Sequence, residues 1–157
     1  MKTILLVVGK TTDSHIEALT KDYVSRIGHY MPFSIEVIPE LRNAKSLTFD
    51  QQKEREAEYI RKQLQPADYV VMLDEHGTER RSVDFAKWIQ KKTLSAPRRL
   101  VFLVGGPYGF SPQIHSLANE KISISQMTFS HQMIRLLFVE QIYRAMTILH
   151  GEPYHHE

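Results

Sequence analysis

Short apolar runs alternate with longer polar or amphipathic stretches along the whole chain. Residues 2–9 form a continuous apolar run closed by a glycine, which is typical of a strand buried on both faces. Similar runs recur at 69–73 and 99–106, whereas 33–39 alternates apolar and polar positions and 121–125 is shorter. The pattern therefore predicts five strands.

The stretches between these strands carry helical spacing and capping residues. Helices are predicted from Asp13 or Ser14 to about Tyr30, from about Thr48 to Gln65, from Ser82 through Lys92, from about Ser111 for a short length, and over 131–149. The segment 74–79, DEHGTE, is predicted to be a turn. Strands that alternate with helices of this length predict an α/β fold, a single domain over 1–157 with a mostly parallel sheet flanked by helices.

Composition narrows the class of protein. Hydrophobic residues make up 42% of the 157 and charged residues 24%, which is the balance of a globular domain rather than a disordered chain. There is no cysteine, and this excludes disulfide scaffolds, thiolate nucleophiles and Cys-ligated zinc. No apolar stretch approaches ~18 residues, so we expect a soluble, cytoplasmic protein without a membrane anchor.

Charge is spread unevenly along the chain. Residues 80–99 hold seven Lys or Arg and a single acid, Asp84, although the formal net charge of the whole chain is only +2. A local basic patch is typical of proteins that bind nucleic acid or another polyanion. A solvated helix face is the more ordinary explanation, and the sequence leaves both open.

The ends of the predicted strands are the places to look for a ligand site, because in parallel α/β folds the crevice lies beyond their carboxyl ends. Those segments are Leu73–Gly77, Gly105–Phe110 and Ser125–Ser130. The glycines of the second segment permit close approach of a ligand, but they suit a tight turn equally well and lack the spacing of a phosphate loop. Asp74, Glu75 and His76 suggest a metal site, yet neighbouring acids point apart on an extended segment, which favours a polar turn.

The predicted helix over 131–149 is apolar around most of its circumference, so it is either central in the domain or buried against another subunit; we expect a homodimer. Arg135 is a permanent charge among apolar neighbours and needs an anion or a carboxylate partner. Glu140 and Arg144, four residues apart, are most simply an ion pair. The tail that follows, with Tyr154 and His155, is either frayed or able to contact a base.

Five segments, in order and over the whole chain, resemble the ribosomal RNA large-subunit methyltransferase H family of the SPOUT superfamily. They are Leu73-Asp74-Glu75-x-Gly77, Val104-Gly105-Gly106-Pro107-x-Gly109, Ser123-Ile124-Ser125-x-Met127-Thr128-x-x-His131-Gln132, Glu140-Gln141-x-Tyr143-Arg144-Ala145 and Pro153-Tyr154-His155.

The resemblance implies a fold with a C-terminal trefoil knot, within about 70–157, and a homodimer. It implies transfer of a methyl group from S-adenosylmethionine to N3 of a pseudouridine in helix 69 of 23S ribosomal RNA on the assembled ribosome. No metal and no membrane are involved in that activity. The cofactor-binding residues it implies are Leu73, Gly105, Ile124, Ser125, Gln126, Met127, Thr128 and Phe129.

The resemblance also implies catalytic and RNA-facing residues. The catalytic candidates are Arg135, Tyr154 and His155, with the tail completing the site of the partner subunit. The candidates for RNA binding are Arg98, Arg99, Arg144 and His156. A permanent cation is common in the family at the last of these positions, so a phosphate contact there is expected to be weaker and dependent on pH.

Three other functions compete with this interpretation. A protein of the same fold that binds ribosomes or RNA without catalysis would not bind S-adenosylmethionine. A methyltransferase of the same superfamily acting on transfer RNA would modify a different substrate. A metal-dependent hydrolase that uses Asp74, Glu75 and His76 would lose its activity to a chelator.

Overall fold

The computed structural model describes residues 1–95 and 97–157. Five strands alternate with five α-helices: β1 (Lys2–Val8), α1 (Ser14–Ile27), β2 (Phe33–Ile38), α2 (Phe49–Gln63), β3 (Asp68–Glu79), α3 (Ser82–Ser95), β4 (Arg99–Val104), α4 (Pro112–Leu117), β5 (Glu120–Ser123) and α5 (Met133–Leu149). The strands form one sheet in the order β2-β1-β4-β3-β5, and every neighbouring pair is parallel. The predicted single-domain α/β fold is confirmed.

Local capping explains where the longer helices begin. Asp13 accepts the backbone N–H groups of His15 and Ile16, so α1 begins immediately after it. Thr48 and Gln51 form a reciprocal capping box at the start of α2. Both helices end two or three residues earlier than predicted. The last turn of a helix is often irregular, so its final residue is hard to predict from sequence.

The stretch predicted as a turn after 73 belongs largely to β3. Leu73 and Thr78 both pair with Ile122 of β5, so the strand resumes after four residues that bulge out of the ladder. A Cβ on Gly77 would lie 2.7 Å from the backbone of Ile122, which leaves no room for a side chain there. The prediction of a turn over 74–79 was wrong in extent, because pairing with a strand far along the chain restores the extended conformation.

The sheet is buried on both faces, as its apolar strands predicted. One face packs against α1, α3 and α5, through buried side chains such as Ile27, Phe85 and Phe138. The other face is covered by α2 and α4, which contribute Ile60 and Ile114 to a second core. Successive residues of a strand point to opposite faces, so a run such as that of β1 must be apolar throughout.

α5 lies in the middle of the three-helix layer, against α1 and α3. Its buried side chains include Phe138, Val139, Ile142 and Met146, while Leu136 on another side is half-buried. Its central position accounts for its apolar character within one subunit, and the homodimer and the knot stay predictions. Among the described residues, no helix is long and apolar enough to cross a membrane.

Candidate active site

A cavity of about 510 Å³ lies where β4 and β5 end, beside the bulge of β3. It is large enough for a small-molecule ligand, since such sites typically measure ~300–1,000 Å³. Seven of the eight predicted cofactor-binding residues line it: Leu73, Gly105, Ile124, Ser125, Met127, Thr128 and Phe129. Gln126 is exposed and does not line the cavity.

The loop after β4 is a tight turn and also forms a wall of the cavity. Its glycines therefore fit both roles considered for them from the sequence, the turn and the close approach of a ligand. Gly109 donates its N–H to the Gly106 carbonyl and has a φ of +82°, which favours glycine. A Cβ on Gly105 would lie 3.3 Å from the Gly109 backbone and from the Phe110 ring. A Cβ on Gly106 would lie 2.7 Å from the Glu56 carboxylate. The loop therefore presents backbone rather than side chains at both positions.

The loop between β5 and α5 forms the opposite wall, and hydrogen bonds hold it in place. The Ser125 side chain accepts the N–H of Met127 at 3.0 Å. Thr128 donates its hydroxyl to Glu75 Oε2 at 2.9 Å, which joins this loop to the bulge of β3. At the far end, Gln132 accepts the N–H of Thr12 and donates to the Lys10 carbonyl. The wall is thus fixed at three points before any ligand binds.

Further residues line the cavity that sequence reasoning did not assign to a cofactor site. They are Asp74, Glu75, Val104, Gly106, Pro107, Tyr108, Gly109, Phe110, His115, Ile122, Ser123, His131 and Ile134. Most lie in or beside the strand-end segments already identified, so chain position alone was the signal that could have found them. Burial, and then the charge of nearby Arg135, lowers the pKa of His131, so this lining group is neutral near pH 7.

The tail is packed against α1 and α5 instead of being frayed. Tyr154 donates its hydroxyl to Glu140 Oε1 at 2.9 Å, and Arg144 donates to the same oxygen at 2.6 Å. Arg144 also lies 3.1 Å from His155 Nδ1. Burial, followed by hydrogen bonds with Tyr23 and Glu140, raises the pKa of Tyr154, so its phenol is neutral. Neither tail residue lines the cavity of its own subunit.

The whole chain matches a known family. A family model described as "Predicted SPOUT methyltransferase" matches residues 1–155. The chain belongs to the SPOUT methyltransferase family. Proteins named ribosomal RNA large subunit methyltransferase H are 62% identical in Bacteroides fragilis and 57% identical in Parabacteroides distasonis, over 157 residues and the full length of both chains. One from Christiangramia forsetii is 50% identical over 97% of each chain.

A solved structure supports the fold at much lower identity. A probable methylase family protein from Haemophilus influenzae Rd KW20 superposes with a TM-score of 0.51 and is 10% identical. The match covers 99% of this chain and 70% of that one. This likeness concerns the fold alone. The family match makes the chain a SPOUT methyltransferase, and the cavity at the strand ends is its candidate active site.

Arg135 has a different environment in this SPOUT methyltransferase from the one that its sequence context predicted. It is 0% exposed and pairs with neither an anion nor a carboxylate. Its guanidinium donates to the carbonyls of Val8, Gly9 and His131 at 2.8–3.0 Å, and to Thr11 Oγ1. It does not line the cavity, and these contacts hold the end of β1 against α5; its predicted catalytic role stays a prediction.

Three acids from elsewhere in the chain pair with four of the seven basic residues of segment 80–99. Arg80 and Lys92 both pair with Glu120. Arg81 pairs with Glu157 in the tail. Hydrogen bonds from Lys92, Tyr69 and Trp88 outweigh burial and lower the pKa of Glu120, as expected of an ionised partner. The segment is therefore a weaker polyanion site than its composition predicted.

Two predicted RNA-binding residues, Arg98 and Arg99, lie at the start of β4, about 20 Å from Gly105 at the far end of the strand. Arg99 is turned inward and pairs with Asp68, with a 2.9 Å Nε–Oδ1 contact and a 3.0 Å hydrogen bond from Nη2 to Oδ2. The side chains are 15% and 1% exposed. Arg98 is exposed, as is His156 in the tail, whereas Arg144 is engaged by Glu140.

Substitution of the two neighbouring arginines should separate a structural role from a surface role. Arg99→Gln leaves the buried Asp68 carboxylate unpaired, so we expect the free energy of unfolding to fall by about 2–4 kcal/mol. Arg98→Gln removes the same charge from an exposed position and should change it by less than about 0.5 kcal/mol. Urea titration monitored by Trp88 fluorescence measures both. Equal stability of the two variants would show that Arg99 is free to bind RNA.

The acids and histidine of the β3 bulge are engaged in contacts within the fold. Asp74 accepts the backbone N–H of His76 at 2.9 Å, and Glu75 accepts from Thr128. In the part of the chain that the structure describes, no group of three or more His, Cys, Asp or Glu side chains is placed to hold a metal ion.

Proposed function

We propose that this methyltransferase transfers a methyl group from S-adenosylmethionine to N3 of a pseudouridine in helix 69 of 23S ribosomal RNA, on the assembled ribosome. The cavity at the strand ends carries the proposal, because seven residues chosen from the sequence as a donor site meet around it. The end-to-end match to relatives named ribosomal RNA large subunit methyltransferase H supports the class of substrate.

The lining residues fit an adenosyl ligand. Gly105 and Gly106 expose backbone where a Cβ would meet neighbouring atoms, so a flat base can approach main-chain groups closely. Leu73, Ile124 and Phe129 supply apolar surface for the faces of the base. S-adenosylmethionine supplies an activated methyl group, whose S–C bond breaks as the N3–C bond forms. S-adenosylhomocysteine and the N3 proton are released.

His155 suits the role of a hydrogen-bond donor to the uracil ring. An arginine can only donate, so the contact from Arg144 assigns the lone pair of the neutral imidazole to Nδ1 and its proton to Nε2. Nε2 is buried and has no hydrogen-bond partner among the described residues. A donor at that atom would stabilise negative charge that develops on a uracil carbonyl as N3 loses its proton to water.

Tyr154 and His155 act in the site of the partner subunit in this proposal. They do not line the cavity of their own subunit, although the contacts with Glu140 and Arg144 hold them in a defined position. A homodimer with two-fold symmetry would bring the tail of each protomer to the cavity of the other. Of the predicted RNA-binding residues, Arg98 and His156 are exposed and are then available for phosphates.

Transfer of a labelled methyl group tests the proposal directly. We expect label on assembled ribosomes, at N3 of a pseudouridine in helix 69, and much less on isolated subunits or free RNA. A chain truncated after Glu152 is the control variant, and it should bind S-adenosylhomocysteine normally but lose transfer. Label on transfer RNA instead would identify a different substrate, and ribosome binding without donor binding would identify a non-catalytic protein.

A mixture of two inactive variants tests whether the tail acts in the cavity of its own subunit or in that of the partner. Gly105→Val subunits keep their tails, whereas truncated subunits keep their cavities. If the tail acts across the dimer, mixed dimers regain one complete site, and an equal mixture recovers about a quarter of the wild-type activity. If the tail acts on its own cavity, the mixture stays inactive.

A further inference from the structure

The charge on the cavity wall is all of one sign. Among the described residues that line the cavity, the only formal charges at neutral pH are those of Asp74 and Glu75, and no lysine or arginine lines it. Both acids come from the bulge of β3, where the strand leaves its ladder with β5. This is unusual for a protein whose proposed partner is RNA, because acids repel phosphates.

Glu75 is held in position at the wall. Its Oε2 accepts the Thr128 hydroxyl at 2.9 Å, so the carboxylate is fixed between the bulge of β3 and the loop before α5. Its other oxygen lies 3.5 Å from His76 Nε2, but that histidine is 84% exposed and is a weak partner. Asp74 instead turns one oxygen to the backbone N–H of His76. Glu75 is therefore the acid whose carboxylate is fixed by a side chain from the loop before α5.

The cations nearest the cavity do not cancel this charge. Arg135 lies behind the wall, where its guanidinium is buried and donates to main-chain carbonyls. Burial lowers its pKa, and the nearby Glu40 carboxylate opposes that shift. His131 lines the cavity but is neutral near pH 7. The permanent charges on the cavity wall are therefore both negative.

The proposed donor and its product differ in charge at one atom. S-adenosylmethionine carries a positive sulfonium, whereas S-adenosylhomocysteine has a neutral thioether at the same position. We infer that Glu75 is a specificity-determining residue that makes the cavity prefer the sulfonium donor over the thioether product. This inference rests on the proposed function.

Such a preference would favour turnover. The product has nearly the same shape as the donor, so apolar contacts and main-chain hydrogen bonds bind both alike. A fixed carboxylate near the sulfur loses its attraction as soon as the methyl group leaves, and this weakens binding of the product selectively. One such charge at the distances within a cavity of this size corresponds to a preference of about fivefold.

A pair of unreactive ligands isolates the effect of charge. Sinefungin carries an amine, positive at neutral pH, in place of the sulfonium, and S-adenosylhomocysteine carries the neutral sulfur. We expect calorimetry on the wild-type protein to show sinefungin binding about fivefold tighter. In Glu75→Gln that ratio should fall to about one, mainly through weaker binding of sinefungin. Glu79→Gln, in the same strand but away from the cavity, should keep the wild-type ratio.

The dependence on salt gives a second measurement. The wild-type ratio should shrink as ionic strength rises, since the carboxylate is 43% exposed and salt screens it, while the Glu75→Gln ratio should not change. An unchanged ratio in Glu75→Gln, or equal weakening of both ligands, would overturn the inference while leaving the donor site intact. Failure of the wild-type protein to bind either ligand would overturn the proposed function as well.

Discussion

An Arg135→Met variant is expected to lose about 3–5 kcal/mol of its free energy of unfolding. The guanidinium supplies hydrogen bonds to the Val8 and Gly9 carbonyls and to Thr11 in a region closed to water. Methionine fills much of the same volume but donates nothing, so those buried acceptors lose their partners. Urea unfolding measures the loss.

Arg135→Lys is the matched control for that variant. Lysine keeps the charge but has a single donor group in place of the arginine fork, so it should recover part of the lost stability and no more. If Arg135→Met were as stable as wild type and bound the donor normally, yet failed to transfer methyl groups, Arg135 would be a catalytic residue after all.

A Gly105→Val variant is expected to bind S-adenosylhomocysteine at least about 100-fold more weakly than wild type. Its Cβ would already lie 3.3 Å from Gly109 and from Phe110, so the two added methyl groups have no room on that side and must enter the cavity. A β-branched side chain there also covers the main-chain groups that the ligand needs. Calorimetry measures the affinity.

Gly105→Ala is the matched control, because it distinguishes a side chain that blocks the cavity from a substitution that destabilises the fold. Its single methyl group requires the neighbours to move by a few tenths of an ångström, so we expect intermediate affinity and little change in unfolding free energy. Normal affinity in Gly105→Val would remove the loop after β4 from the donor site.

The sheet could be predicted from the sequence because each strand is recognisable from the pattern of apolar residues within its own segment. An apolar run such as 2–8 or 99–104 is sufficient to predict burial on both faces, and alternation with helices then implies parallel pairing. The same logic located the cavity, since the carboxyl ends of neighbouring parallel strands must meet. Neither inference needed a contact between distant residues.

What the sequence could not predict depends on such distant contacts. The β3 strand continues past its bulge because it meets Ile122. Arg135 is satisfied by carbonyls at the end of β1, more than a hundred residues earlier in the chain. Arg99 is occupied by Asp68, so a count of charges within 80–99 overstated the positive surface. A basic residue with no acid near it in the sequence can still form an ion pair with an acid that the fold brings beside it.

The order of the strands in the sheet determines how much of the chain must be synthesised before the cavity can form. β1 is the first strand to leave the ribosome, but Lys2 pairs with Arg99, and the far wall of the cavity is contributed by residues beyond Ser123. Long-range parallel pairing of this kind slows folding, because the chain loses the entropy of closing large loops before the strand contacts contribute favourable free energy. A nascent chain consequently lacks this cavity until its final third has been synthesised and has docked, so the candidate site can form only late in synthesis.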